Sequence, residues 1–357
     1  MRLRIKMDRM LEKIVLFGMF LWAWFIFGFN TYNPDYKFYE QAYNSYSVGS
    51  TNEIGFKILC AFFKRMGMDF QTFHVLLALV LLAIIVKCIY EYTDSPIFAF
   101  IAYILYPFFY DAIQIRIMIA EVIILYSVRF LMEYNKRNLF SFLGFFLLAI
   151  MFHITSITYA VLLIAYVREL KKVRIISCVI TVILILIRIF AINVIDMLIA
   201  SARFMGANFI TGTGYLDYTG KYYRLMGLYF LIGGSIILLY SYKLARDSSD
   251  SSNNNFRSLI SSEGGVKLAW ISLIFIPLFA YGSSFGRLYQ RFLVVLYCIG
   301  FNGVVLNGSK VRLKNMFIKI YVLLLAFLLF YSHIITGELN AYERVLRSIL
   351  DNNLLSP

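Results

Sequence analysis

The sequence predicts an all-α, polytopic membrane protein with about eleven transmembrane helices. Three observations carry that expectation. Of the 357 residues, 61% are hydrophobic and 15% charged, against roughly 25% charged in an average soluble domain. Mean hydropathy is +0.74, more apolar surface than a soluble globule of this size has interior to hide. The apolar residues also come in repeated runs approaching the ~20 residues that a bilayer core requires of a helix. A soluble enzyme, a secreted disulfide scaffold and a disordered regulator are all excluded.

The first predicted span, about 14–29, follows Arg2, Arg4, Lys6, Arg9 and Lys13. This resembles the basic and apolar regions of a signal peptide. The apolar run is long, rich in Trp and Phe, and lacks a small-x-small cleavage site, so it reads as an uncleaved first helix with its N-terminus in the cytoplasm. Further spans are expected at about 73–91, 97–111, 115–132, 139–152, 154–168, 173–192, 223–242, 266–282, 288–306 and 316–335. The pair 139–152 and 154–168 also reads as one long bent helix. Alternation from a cytoplasmic N-terminus puts the basic clusters 168–174 and 310–314 on the cytoplasmic side and the C-terminus outside. The chain is expected to form a single membrane domain, 1–357. Two long outer segments, 30–72 and 193–222, have room for short interfacial helices. The Ser/Asn-rich stretch 247–265 reads as a flexible cytoplasmic linker.

Net charge is +14, but the cations sit in short clusters between apolar runs. That is a topology signal rather than a nucleic-acid footprint, and no nucleic-acid partner is expected. Cys60, Cys88, Cys178 and Cys298 form no Cys-x-x-Cys pair and read as small apolar side chains. No metal site and no cofactor are expected. Glu121 and Arg129 lie within one span and read as structural, either paired with each other or lining separate places.

The remaining polar residues collect on the outer side: Asp35, Glu53, Asp111, Gln114, Arg116, His153, Arg203, Asp217, Lys221, Arg224, Arg287 and Arg291. Charge near membrane depth is costly and usually faces a polar cavity or a partner. Loop solvation accounts equally well for Asp35 and Glu53, snorkelling for Arg116, and packing for His153. Arg287 and Arg291 are one helical turn apart beside Tyr289 and Gln290, a pattern that fits an anion site better than two interfacial anchors. Guanidinium forks suit a diphosphate, aromatic faces suit sugars, and an apolar surround suits a lipid tail. Composition alone leaves a transporter equally open.

Five short elements, in order, resemble a known family. They are Asn33-Pro34-Asp35-Tyr36, Glu53-Ile54-Gly55-Phe56, Arg116-Ile117-Met118-Ile119-Ala120, Phe152-His153-Ile154-Thr155-Ser156, and the stretch from Arg287 to Arg291. Together they resemble the EpsG family of Wzy-like polysaccharide polymerases, from about residue 30 to 335. Ile117 departs from an Arg-Gln pattern common in the family, with Gln114 two residues before Arg116. Thr155-Ser156 stands where Ser-Ala is more usual.

The resemblance implies a membrane glycosyltransferase that joins undecaprenyl-diphosphate-linked oligosaccharide repeat units at the outer face of the bacterial cytoplasmic membrane. Its partners would be the lipid-diphosphate-linked oligosaccharide and membrane lipid, with a chain-length regulator and a flippase as candidate protein partners. On that reading Arg116, Arg287 and Arg291 bind the diphosphate, with Arg203 and Arg224 as second choices. His153 is the first candidate for general base, followed by Glu53 and Asp35. Gln114, Tyr289 and Gln290 are expected to bind substrate. A polysaccharide flippase, an O-antigen-ligase-like transferase and a decorating acyltransferase are the rival readings.

Overall fold

The computed structural model describes residues 2–45, 53–189, 227–238, 262–278, 283–302, 309–336 and 340–354. Among the described residues every regular element is helical, and the one β-type contact is an isolated antiparallel bridge between Asn30 and Asn353. The chain divides into two compact units, one of Met1–Ala160, Ser252–Ile260 and Leu293–Pro357, the other of Val161–Ser251 and Ser261–Phe292.

In the first unit, α1 (Arg2–Gly28) and α4 (Phe70–Tyr92) pack side by side. Trp24 Nε1 donates to Val75 O at 3.0 Å and Gln71 Nε2 to Gly28 O at 2.9 Å, so the start of α4 meets the end of α1. The segment between them holds two short helices, α2 (Tyr36–Asn44) and α3 (Ile54–Arg65). Gly67 ends α3 in the left-handed region, at φ 76°. Its N–H bonds Lys64 O and the Met68 N–H bonds Phe63 O, the paired bonds of a Schellman cap. Two residues later Asp69 caps α4 by accepting from Thr72 N at 2.7 Å.

The expected span 97–111 is broken. α5 (Pro96–Leu105) stops at Tyr106-Pro107 and α6 (Phe108–Ile113) restarts beyond it. Proline lacks the N–H that would continue the ladder. A second break at Gln114 separates α6 from α7 (Ile115–Ser127), which runs on into the 3-10 turn Val128–Leu131. α8 (Lys136–Phe152) packs along α7, its start capped by Asn135, whose side chain accepts from Arg137 N at 3.0 Å. The helix does not bend through His153 but ends there. His153 is extended, at φ −156° and ψ 119°.

Beyond it comes a 3-10 helix, Ile154–Tyr166. Its buried residues are Ser156, Tyr159, Leu162 and Ala165, a period of three, as a helix of three residues per turn requires. The first unit closes with the helix Ser309–Phe330, a π turn at Tyr331–Ile335, and the C-terminal turns Tyr342–Arg347 and Ser348–Asp351.

The second unit contains α9 (Leu170–Ile189), the helix Gly227–Leu238, the broken pair Ser262–Ser272 and Phe275–Leu278, and the first turns of the helix Ser283–Phe301. The expected span 266–282 is thus interrupted at Leu273–Ile274. The end of the expected linker, from Ser262, is already helical; the rest of that linker lies outside the described residues, as does 193–222, the second segment expected on the outer side. Lys267 is almost wholly buried, with its Nζ 2.8 Å from Glu263 and donating to Arg168 O at 2.6 Å.

Three helices among the described residues are long and apolar enough to cross a membrane: Met10–Gly28, Phe70–Tyr92 and Met316–Ile335. The four cysteines are unpaired thiols, and all but Cys178 are buried. Glu121 and Arg129 do not pair with each other. Glu121 bonds Tyr159, and Arg129 sits 2.8 Å from Glu91.

Candidate functional site: a carboxylate shared by an arginine and a histidine

Three backbone breaks in the first unit set the site. Glu53 stands just before α3 with an extended backbone, and its side chain caps no helix N–H. Arg116 lies in the first turn of α7, where the helix dipole disfavours a cation and an adjacent anion offsets it. His153 terminates α8.

These three side chains meet. Arg116 Nη1 donates to Glu53 Oε2 at 2.6 Å, and His153 Nδ1 lies 2.5 Å from Glu53 Oε1. One carboxylate therefore holds a guanidinium on one oxygen and an imidazole on the other. An ionised carboxylate only accepts, so in the neutral form of the imidazole the proton sits on Nδ1 and Nε2 carries the lone pair. Nε2 makes no hydrogen bond to any described residue. All three groups retain some exposure, with 19% of the side-chain surface open for Arg116, 12% for Glu53 and 17% for His153.

Arg116 is also held from the side of α2. Its guanidinium carbon lies 5.2 Å from the centre of the Phe38 ring and 5.5 Å from that of Tyr39, both cation–π distances. Burial pushes the Tyr39 phenol above its ordinary value although the guanidinium beside it pulls the other way, so it stays a neutral ring wall. Arg116 Nε is buried and has no hydrogen-bond partner among the described residues.

Gly55 explains how Glu53 reaches His153. A Cβ on Gly55 would lie 3.0 Å from both C and O of Met151 and 3.2 Å from Phe152 Cδ2. Only a residue without Cβ lets the first turn of α3 press this closely on the last turn of α8. The next residue, Phe56, is buried against Tyr39 and Phe73, which fixes the direction of approach.

The other residues expected at a site are placed as follows. Asp35 lies in the turn that launches α2, where its N–H donates to Asn33 Oδ1 at 3.0 Å. Gln114 is buried at the break before α7. Arg287, Tyr289, Gln290 and Arg291 belong to the second unit; Arg291 and Gln290 are buried, and the Tyr289 hydroxyl donates to Tyr229 O at 3.1 Å. Arg203 and Arg224 lie outside the described residues. Sequence reasoning missed Phe38 and Tyr39; the aromatic run straight after Asn33-Pro34-Asp35 was the available signal. Among the described residues no group of His, Cys, Asp and Glu side chains has the makings of a metal site.

The elements that meet here carry four of the five short motifs, with Asn33–Tyr36 launching α2, Glu53–Phe56 opening α3, Arg116 opening α7 and His153 closing α8. The model of the EpsG family matches residues 13–343, nearly the whole chain. The chain belongs to the EpsG family. Membership makes it a polysaccharide-polymerase-like membrane protein, as the order of the motifs led one to expect. No curated protein and no solved structure matches it. In this EpsG-family chain, Gly55 is the close-approach residue, and Glu53 bridges the Arg116 and His153 motifs.

Proposed function

We propose that this EpsG-family chain is a glycosyltransferase that polymerises undecaprenyl-diphosphate-linked repeat units at the outer face of the bacterial cytoplasmic membrane. The observation that carries the reading is the single carboxylate of Glu53 held between Arg116 and His153. An acceptor sugar hydroxyl attacks C1 of the donor sugar. Its proton passes to His153 Nε2, the bond between C1 and the phosphate oxygen breaks, and the electron pair leaves on the diphosphate.

Glu53 fixes the imidazole tautomer and stabilises the imidazolium that forms. Arg116 faces the growing negative charge with its remaining N–H groups, in a site walled by Phe38 and Tyr39 where that interaction is worth more than in water. Arg287, Arg291, Arg203 and Arg224 are further diphosphate ligands on this reading, and Gln114, Tyr289 and Gln290 contact the sugars. Asp35 is the reserve carboxylate.

The membrane arrangement proposed with it has about eleven crossings, the N-terminus in the cytoplasm and the C-terminus outside. In its support, the C-terminal turns and the site both lie at the Gly28 end of α1, opposite the basic N-terminus.

The deciding experiment is incubation of the purified protein with a defined lipid-diphosphate repeat unit. A ladder of longer lipid-linked products is expected. Transfer to an unrelated acceptor would instead identify a ligase, and movement of intact substrate across the membrane without bond formation a transporter.

A further inference from the structure

The first and last described stretches of the first unit are hydrogen-bonded together beside the site. Asn30 is 1% exposed. Its Nδ2 lies 3.2 Å from Ile349 O, 3.3 Å from Asn352 O and 3.4 Å from Ser348 O, so one amide side chain faces the terminal carbonyls of the last helix. The backbone joins in. Thr31 N donates to Asn352 O at 2.8 Å, and Leu354 N to Phe29 O at 2.9 Å. Asn353 Nδ2 reaches Phe25 O at 2.9 Å.

The contact continues toward the site. Asn30 Oδ1 accepts from Asn33 Nδ2 at 2.9 Å, and Asn33 Oδ1 accepts from Asp35 N at 3.0 Å. Tyr36 N donates to Asn33 O at 3.1 Å and opens α2, whose Phe38 and Tyr39 flank Arg116. A loop that would otherwise sample many conformations is thereby fixed from both of its sides. Ser348–Leu354 lies beyond the last residue matched by the EpsG model, residue 343, so family membership does not account for it.

We propose that Asn30 and the segment Ser348–Leu354 form a latch that positions α2, and through Phe38 and Tyr39 the Arg116 guanidinium, for anion binding. The inference rests on the proposed role of Arg116. Asn30, Asn33 and the C-terminal segment are positioning residues and touch no reacting atom.

The test uses the full-length protein in lipid nanodiscs, with three latch variants and one control. Asn30→Asp is near-isosteric and places oxygen against carbonyl oxygens. Asn33→Ala cuts the link between latch and α2 without touching the C-terminus. The third variant deletes residues 348–357. The control, Arg347→Ala, removes exposed pairs to Glu343 and Asp351 in the same stretch and leaves the latch intact.

Amide exchange over 36–44 should speed up by about tenfold or more in the latch variants, with α4 and α7 unchanged as the folding control. KM for the lipid-diphosphate substrate should rise by about tenfold while kcat stays within a few-fold, because the Glu53–His153 pair is untouched. The Arg347→Ala control should change neither. Unaltered exchange over 36–44 in the latch variants overturns the latch. Faster exchange with an unchanged KM overturns its positioning role. If wild-type protein makes no product, it is the transferase reading that falls, and the exchange data alone decide the latch.

Discussion

Arg116 and Arg129 stand at opposite ends of one helical rod, α7 and the turn that extends it, roughly 20 Å apart at 1.5 Å per residue. Each faces a glutamate, Glu53 at 2.6 Å and Glu91 at 2.8 Å. Each is flanked by aromatic rings, Phe38 and Tyr39 in one case, Tyr126 and Tyr92 in the other. The two pairs differ in geometry: Arg116 hydrogen-bonds its glutamate, whereas Glu91 Oε2 has no hydrogen-bond partner among the described residues although Arg129 Nη2 stands 2.8 Å away. Arg129 gives Nε to Tyr126 O at 2.9 Å and Nη2 also to Cys88 Sγ at 3.6 Å. Among the described residues, Arg116 keeps a buried Nε without a partner, and its glutamate holds an imidazole whose second nitrogen is unengaged. A buried ion pair is weak evidence of function by itself. What sets the Arg116 end apart is the imidazole that shares its glutamate.

The comparison can be broken or sharpened by substitution. The largest effects are expected at the shared carboxylate. His153→Ala and Glu53→Gln should each lower turnover of a lipid-diphosphate substrate by ~10²–10⁴-fold, the usual range for losing a general base or its orientation. Normal product ladders from both, in correctly inserted protein, would sink the chemical reading. Next comes Gly55→Ala. Its Cβ meets the Met151 backbone at 3.0 Å, and the expected outcome is a displacement of Glu53 from His153 with a fall of ~10–10²-fold from misplacement. Measured kcat equal to wild type would mean that α8 yields without cost.

Arg116→Lys keeps the charge and loses the fork. A rise in substrate KM of about tenfold is expected, with less change in kcat. Arg129→Ala should leave turnover near wild type and reduce thermal stability by about 1 kcal/mol; a large loss of activity without unfolding would erase the distinction drawn between the two ends of α7.

The smallest effect tests the frame around the site. The Thr72 amide holds the Asp69 carboxyl below its ordinary value. A depressed folded-state value contributes stability above the unfolded pKa of ~3.9, lost as pH falls through the lower folded value. Asp69→Ala should therefore cost about 1 kcal/mol at pH 7, seen as a lower melting temperature. The gap to wild type should close in acid; a gap constant down to pH ~3 would mean the capping bond is not its source.

Much of this was legible in the sequence. Apolar run lengths located α1, α4, α8 and α9, because a bilayer imposes its thickness on composition. The helix break at Tyr106-Pro107 was also written there, in a proline that hydropathy alone passes over. Glu53, Arg116 and His153 were each singled out, but as residues with separate duties. Their contact joins positions 63 and 100 apart in sequence, and no local spacing encodes that. Sequence position already set Arg129 apart as structural, but not its pairing with Glu91, nor the histidine that shares the glutamate of Arg116. Arg287 and Arg291, grouped with Arg116 on charge and side, fold into the other compact unit.

The period-three segment after His153 bears on how such chains are counted. Ile154–Tyr166 has 13 residues, which as an α-helix would extend ~20 Å, well short of a ~30 Å hydrocarbon layer. Stretched to about 2.0 Å per residue it extends ~26 Å. Window-based tallies that assume one pitch discard such a stretch as too brief. Tighter winding trades girth for reach, and a short sequence can then go most of the way across oil.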